Sequence, residues 1–337
     1  MKAAAAAHTG PRQARTQEVP MQYDCAPLQG VTTYVFRNTH REFFPGVARY
    51  YMPFFSPTKE HLITPREMRD LDPTHNAGTA AVPQLMARSP EDLVWSIGAM
   101  AELGYREVNL NLGCPSGTVV AKGKGSALLG RPEELARLLD AVYTHAAISV
   151  SIKTRLGLRE PEEFDALVEL FNRYPIPELI IHPRVQREFY QGQVHLDAFA
   201  RALARSRCPV TYNGDLLTAA DCRALEARFP AVKRIMLGRG LAADPALVRK
   251  LQGGAAVDRA TLQAFTDTLF ARYQESFGNV ENALQRMKEL WYYLIWLFDG
   301  GERLGMKLRR VRGAADYAAL TGRIFRELPL RTDAQKE

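Results

Sequence analysis

The chain has 337 residues, a formal net charge of +7, a pI of about 9.2 and a hydrophobic fraction of 46%. That fraction supports a large core and excludes disorder for the bulk of the chain, while the length suits a barrel carrying an appendage. The positive balance favours an anionic partner such as nucleic acid, and no apolar run is long enough to span a membrane.

The four cysteines, Cys25, Cys114, Cys208 and Cys222, form no C-x-x-C pair, which argues against a zinc knuckle or a redox dithiol. Scattered thiols fit a reducing compartment, so a cytoplasmic protein is expected. Residues 1–20 contain the run Ala3 to Ala7 followed by several basic residues. The run is short for a signal-peptide core, and the segment reads as a disordered tail.

From Gln22 onward, short apolar runs alternate with helix-like segments. Strands are expected at 23–28, 48–54, 80–85, 107–112, 148–153, 179–182, 210–213 and 234–237. Helix starts are announced by Thr64-Pro65-Arg66-Glu67, by Ser89-Pro90-Glu91-Asp92 and by Arg131-Pro132-Glu133-Glu134. These place a cap or a first-turn proline ahead of acids. Further helices are expected at 160–174, 196–206, 218–229 and 243–251.

Eight strand–helix repeats imply parallel strands and, most economically, an α/β fold of the (β/α)8 TIM barrel type over residues 21–254. An open doubly wound sheet is the alternative, weakened because no G-x-G-x-x-G turn follows the first strand. After Gly253-Gly254 the pattern becomes wholly helical. Leu262, Phe265, Leu269, Tyr273 and Phe277 mark one face, and Met287, Trp291, Leu294 and Phe298 a second. Tyr317, Leu320, Ile324 and Leu328 mark a third, so a small all-helical domain is expected over 255–337.

Barrel enzymes place their chemistry at the carboxyl ends of the strands. Here those ends read Ala26-Pro27-Leu28-Gln29, Gln84, Asn111-Leu112-Gly113-Cys114, Lys153-Thr154-Arg155, His182-Pro183-Arg184, Asn213-Gly214-Asp215 and Gly238-Arg239-Gly240. Pro115 must end the fourth strand, which leaves Cys114 at a strand tip beside a loop holding Lys122, Gly123, Lys124 and Gly125. A lone cysteine is usually a small core filler. Beside lysines at a strand tip it becomes a candidate acid or nucleophile.

The turns after strands seven and eight are where barrels commonly seat a phosphate. Gln84 offers a donor and an acceptor to a planar ring edge, and Lys153 can hold negative charge on a ring. Planar ring plus phosphate suggests FMN. A phosphosugar site is the alternative, and it leaves Gln84 and Cys114 unused. His61, His75, His145, His182 and His195 show no ligand spacing, so no metal is expected.

The helical region carries a basic run, Arg303, Lys307, Arg309, Arg310 and Arg312, which Arg286 and Lys288 can join. Most such runs are a solvated face. On a protein that holds a polyanion they become candidate RNA contacts. The stripe Trp291, Tyr292, Tyr293 and Trp296 reads as core and interface rather than as a base-stacking platform.

Several stretches together carry a resemblance. They are Ala26-Pro27-Leu28-Gln29-Gly30-Val31-Thr32, Asn111-Leu112-Gly113-Cys114-Pro115-Ser116, Lys122-Gly123-Lys124-Gly125-Ser126-Ala127-Leu128-Leu129, Ser151-Ile152-Lys153-Thr154-Arg155-Leu156-Gly157, Asn213-Gly214-Asp215 and Gly238-Arg239-Gly240. In this order, over about residues 22–325, the sequence resembles the tRNA-dihydrouridine synthases. It departs from the usual pattern at Leu28 (usually Met), at Thr33 (usually Asp) and at Pro183 (usually a small residue).

The resemblance implies reduction of specific tRNA uridines to 5,6-dihydrouridine, with hydride from reduced FMN to C6 and a proton from Cys114 to C5. It implies NADPH as the transient reductant. It implies FMN contacts from Pro27, Leu28, Gln29, Gln84, Asn111, Lys153, His182, Asn213, Gly214, Asp215, Gly238 and Arg239. Lys122, Lys124, Arg155, Arg184, Arg286, Arg309, Arg310 and Arg312 are the candidate RNA contacts, and a monomer is expected. Two rival readings stand beside this one. One is a flavin barrel acting on a free pyrimidine, resembling dihydroorotate dehydrogenases. The other is a non-catalytic RNA-binding barrel.

Overall fold

The computed structural model describes residues 20–336. The tail expected at residues 1–20 lies, except for Pro20, outside the described residues. Nine parallel strand segments make up the sheet: β1 (Gln22–Cys25), β2 (Tyr50–Tyr51), β3 (Ala81–Val82), β4 (Gln84–Leu85), β5 (Glu107–Leu112), β6 (Ser149–Arg155), β7 (Leu179–His182), β8 (Val210–Tyr212) and β9 (Arg234–Leu237). Their order is β3-β2-β1-β9-β8-β7-β6-β5-β4.

The two ends of that order, β3 and β4, are halves of one stave on either side of Pro83, so the sheet closes on itself. Proline has no N–H to give a ladder, and the expected strand at 80–85 is therefore interrupted. The Pro83 carbonyl still accepts from the Asn109 N–H at 2.9 Å, and Phe55, beyond β2, bridges to Leu85. Counted by stave, this is the eight-stranded barrel.

Most expected helices form. Pro65–Leu71 is closed by a reciprocal Thr64–Glu67 capping box, and the Ser89 side chain caps Pro90–Glu102. Two differences appear. A helix at Tyr34–Phe43, which the sequence pattern does not announce, buries Val35, Phe36 and His40. The helix expected at 243–251 is shortened to Leu247–Leu251, and a separate, unannounced helical turn, Arg239–Ala243, ends ahead of Pro245, which cannot continue a helix.

The large core lies between strands and helices and runs unbroken into the helical region. That region comprises Arg259–Phe277, Val280–Leu294, Glu302–Leu308 and Ala314–Glu327. Phe265 on its first helix meets Phe43 and Phe44 edge-on, at 5.8 and 5.2 Å between ring centroids, which fixes the helical region against the barrel.

Inside the barrel the apolar filling is small: Ala26, Tyr51, Val82, Ile180 and Met236. The rest of the interior is polar. Side chains alternate along a strand, so Glu107, Asn109 and Asn111 share one face of β5 while Val108, Leu110 and Leu112 pack outward.

At the amino ends of the strands the interior is closed by an ion-pair network. Arg49 reaches Asp24 at 2.8 Å, Glu178 at 2.5 Å and Glu107 at 3.2 Å, and Arg234 reaches Asp24 at 2.8 Å. No described helix is long and apolar enough to cross a membrane.

Candidate active site

The carboxyl ends of the strands surround one open cavity of about 160 Å³. Pro27, Leu28, Gln29, Gln84, Asn111, Lys153, His182, Asn213, Gly214, Asp215, Gly238 and Arg239 all line it, and so do Cys114 and Arg155. Pro53, Phe54 and Tyr190 line it too, and no sequence motif singled them out.

Tyr190 lies in the loop after β7, next to Phe189, whose φ of 51° is in the left-handed region. Its ring is half exposed and has two guanidinium groups near it, Arg155 at 5.2 Å and Arg239 at 5.3 Å, with His182 stacked at 6.1 Å. The only sequence signal for it was the pair of adjacent aromatics seven and eight residues past His182.

Cys114 is held from three sides. The Asn111 side-chain oxygen accepts from the backbone N–H groups of Gly113 and Cys114, each at 3.0 Å. This local turn shapes the strand end. The Cys114 carbonyl accepts from both the N–H and the hydroxyl of Ser126, at 3.2 and 2.8 Å. The Gly113 carbonyl accepts from Arg155 Nε at 2.9 Å. Gly125 has φ +60°, and a Cβ there would stand 2.9 Å from the Cys114 carbonyl oxygen, so glycine is required for the loop to close over the thiol strand.

The cavity is electropositive. Lys153 makes no hydrogen bond or ion pair with any described residue. Burial, and then the neighbouring Arg155, push its pKa down to about 7. His182 is held well below the usual histidine range by burial and by the surrounding cations, Arg155 first. It is therefore neutral, and with Arg184 donating to Nε2 at 3.2 Å the ring proton sits on Nδ1.

Among the described residues, Asp215 is the one acid in the cavity wall. Burial raises its pKa, but Arg184 and Arg239 outweigh burial and keep it below the ordinary carboxylate value. Gly240, just past Arg239, brings the backbone close to the turn after β8. A Cβ there would lie 2.1 Å from the Leu216 carbonyl oxygen.

The candidate RNA contacts divide into two groups. Arg184 is fully buried, which corrects the expectation of an RNA contact. It donates to the Gln191 carbonyl at 3.0 Å, to the Gly192 carbonyl and Asp215 at 2.5 Å each, and to His182. It clasps the loop that carries Tyr190. Arg155 is also buried, donating to Gly113 and to the Val185 carbonyl at 3.0 Å. It belongs to the cavity wall rather than to an outer surface. Lys124 donates to Ser56 at 2.7 Å, and Arg286 pairs with Glu289 at 2.7 Å.

Lys122, Arg309, Arg310 and Arg312 make up the second group. Lys122, Arg309 and Arg310 are exposed. Arg309 lies 5.5 Å over the ring of Tyr292, which meets Tyr293 edge-on at 5.0 Å. Burial raises the pKa of Tyr293, and Arg239 is close enough for its charge to oppose that rise. Of the aromatic stripe only Trp291 is core, so Tyr292, Tyr293 and Trp296 form a partly exposed edge-to-face cluster. That cluster runs from the basic run to the cavity mouth. Among the described residues no group of His, Cys, Asp and Glu is placed to hold a metal ion.

A closed parallel barrel with a thiol and a cationic cavity at the carboxyl ends of its strands has the layout of a barrel enzyme. A structure of a morphinone reductase mutant shares the fold, with TM-score 0.50 and 13% identity over 71% of this chain and 89% of that one. The family model for dihydrouridine synthase (Dus) matches residues 24–310, and the chain belongs to that family. Its relatives include a tRNA-dihydrouridine(16) synthase of Cupriavidus necator, 30% identical over 68% of this chain and 72% of its own length. Another is a tRNA-dihydrouridine synthase B of Shewanella oneidensis, 27% identical over 72% and 73%.

Proposed function

We propose that this protein reduces a uridine of tRNA to 5,6-dihydrouridine, with FMN in the cavity and NADPH as reductant. The observation that carries the reading is a cavity that brings Lys153, partly buried and without a side-chain ion pair among the described residues, together with Arg155, Arg239 and the Cys114 thiol. A cavity so charged favours an anionic ligand. Bound FMN supplies the hydride that goes to C6 of the uracil.

The rest is work for the chain's own residues. Lys153 faces the negative charge of the ring. Arg239 and the turns at Asn213-Gly214 and Gly238 hold the phosphate, with Pro27, Leu28 and Gln29 along the ring. Asn111 fixes the Cys114 amide and so aims the thiol. Cys114 gives its thiol proton to C5 as general acid. Hydride and proton together account for the two hydrogens added across the C5–C6 bond.

A uracil reaches this cavity only when turned out of its stack, which costs a few kcal/mol. The half-exposed Tyr190 ring, with two cations near it, offers it an aromatic surface to pack against. Contacts of Arg309, Arg310 and Arg312 with RNA phosphates offset the rest.

The test is the visible absorption of the purified protein, an anaerobic titration with NADPH, and then assay of dihydrouridine in tRNA lacking the modification. The expected result is a flavin band that NADPH bleaches and tRNA restores. A protein that cannot be loaded with FMN overturns the reading. Position 16 is the first to assay, because the Cupriavidus relative is named for it.

A further inference from the structure

We propose that Ser151 and Asn109, which lie below the cavity and outside its wall, are positioning residues. A one-way chain of amide hydrogen bonds down the inside of the barrel fixes which atoms Gln84 and Asn111 turn toward the ligand. The proposal rests on the cavity being the flavin site.

Strand register creates the chain. Gln84 of β4, Asn109 of β5 and Ser151 of β6 are direct neighbours across three adjacent strands, and Asn111 is the next inward residue above Asn109. The Asn111 amide nitrogen donates to the Gln84 oxygen at 2.7 Å. The Gln84 nitrogen donates to the Asn109 oxygen at 2.8 Å, and the Asn109 nitrogen donates to the Ser151 hydroxyl at 3.0 Å. The hydroxyl then donates to the Glu107 carboxylate or to the Val108 carbonyl, both at 3.2 Å. Gln84, Asn109 and Ser151 are fully buried, so no water stands in for a missing partner.

Both ends of the chain are chemically committed. At the bottom, a carboxylate and a carbonyl only accept, so the Ser151 hydroxyl must donate to them and accept from Asn109. At the top, the N–H groups of Gly113 and Cys114 only donate, so Asn111 must aim its oxygen at them. The two constraints agree through every link. Turning any one amide over would set oxygen against oxygen on one side and N–H against N–H on the other.

The consequence falls on the cavity wall, where Gln84 and Asn111 both appear. The Asn111 oxygen is saturated by two N–H groups, which leaves Asn111 one amide hydrogen to offer the cavity, and the fully buried Gln84 fixes its direction by accepting the other. At Asn111 the wall therefore reads a ligand atom that accepts, a carbonyl oxygen or an imine nitrogen.

The test compares Ser151→Ala, which frees Asn109 to turn, with Ser151→Thr, which keeps the hydroxyl. In the FMN-loaded protein, Ser151→Ala should weaken FMN binding about three- to tenfold, the effect of removing one buried hydrogen bond. It should also shift the flavin absorption band, and Ser151→Thr should restore both. A purely structural role lowers the melting temperature without moving the band. In flavin-free protein, Ser151→Ala should change the rate at which iodoacetamide alkylates Cys114, and Ser151→Thr should not.

That last measurement needs no cofactor. If FMN never binds, the cofactor reading fails while the alkylation rates still decide the chain. Should Ser151→Ala not fold, Asn109→Leu breaks the same link at similar volume and carries the same expectations. Natural FMN affinity, band position and alkylation rate in the folded variant would overturn the proposal.

Discussion

The two ends of this barrel hold similar numbers of charged side chains and use them in opposite ways. At the amino ends of the strands, Arg49 and Arg234 are matched by Asp24, Glu107 and Glu178, and each charge has a partner. At the carboxyl ends, Lys153, Arg155 and Arg239 share the cavity wall with one acid, Asp215, and Arg184 stands behind it. Buried charges that are paired close a structure. Buried cations in excess are a demand for an anion from outside. The fold supplies both ends equally, so it is the imbalance of charge that separates a plug from a binding site.

Four experiments put that contrast at risk. The largest effect belongs to the upper end. Cys114→Ala should lower turnover about 10²–10⁴-fold with flavin content and melting temperature unchanged, and single-turnover rates that stay natural would remove the thiol from the mechanism. At the lower end, Asp24→Ala leaves its two arginines undercompensated and should cost about 3 kcal/mol by urea unfolding, with FMN affinity intact. Loss of flavin without loss of stability would invert the comparison.

Replacing Arg309, Arg310 and Arg312 by glutamine should weaken tRNA binding about tenfold at moderate salt and flatten its salt dependence, by about 0.9 in the log–log slope for each phosphate no longer neutralised. An unaltered slope rules the run out as an RNA-binding surface.

The smallest signal is a proton. With its pKa pushed down to about 7, Lys153 is mostly neutral in the empty cavity at about pH 8, and an anionic ligand raises that pKa and recharges it. Binding of FMN at that pH should take up close to one proton. Calorimetry in buffers of different ionisation heat measures this. The uptake should fade below about pH 6, where the ammonium is already formed, and should vanish in Lys153→Met. Uptake that persists in Lys153→Met assigns the proton elsewhere.

Much of this was legible in the sequence because a barrel converts order along the chain into position on a rim. Once 107–112, 179–182 and 234–237 read as strands, the residues just beyond them had to share one face. The unread parts have particular causes. The gap at Pro83 carries the same local mark that ends the fourth strand at Pro115, a proline without an N–H, but the apolar residues around it read as one run.

The helix Tyr34–Phe43 carries Arg37, Asn38, Thr39, His40 and Arg41 as one polar run, and three of those side chains, Arg37, Thr39 and His40, are buried with specific partners. Arg37 donates to the Thr32 carbonyl and to Asn76, both at 2.7 Å, and His40 bonds Tyr50 and the Pro245 carbonyl. Arg184 looked like an RNA contact because its acceptors, Gln191, Gly192 and Asp215, converge only after folding. Tyr190 was hidden for the same reason, since the cations that flank it come from two other strand ends.

The attachment of Ser126 to the Cys114 carbonyl makes two separated motifs a single physical part. Neither the Gly113-Cys114-Pro115 turn nor the Lys124-Gly125-Ser126 loop keeps its shape without the other, and Gly125 is the hinge that lets them meet. Anyone moving this thiol into a different barrel would need to transplant the whole block from Asn111 to Leu128 as one cassette, together with an arginine placed like Arg155 to hold its near edge.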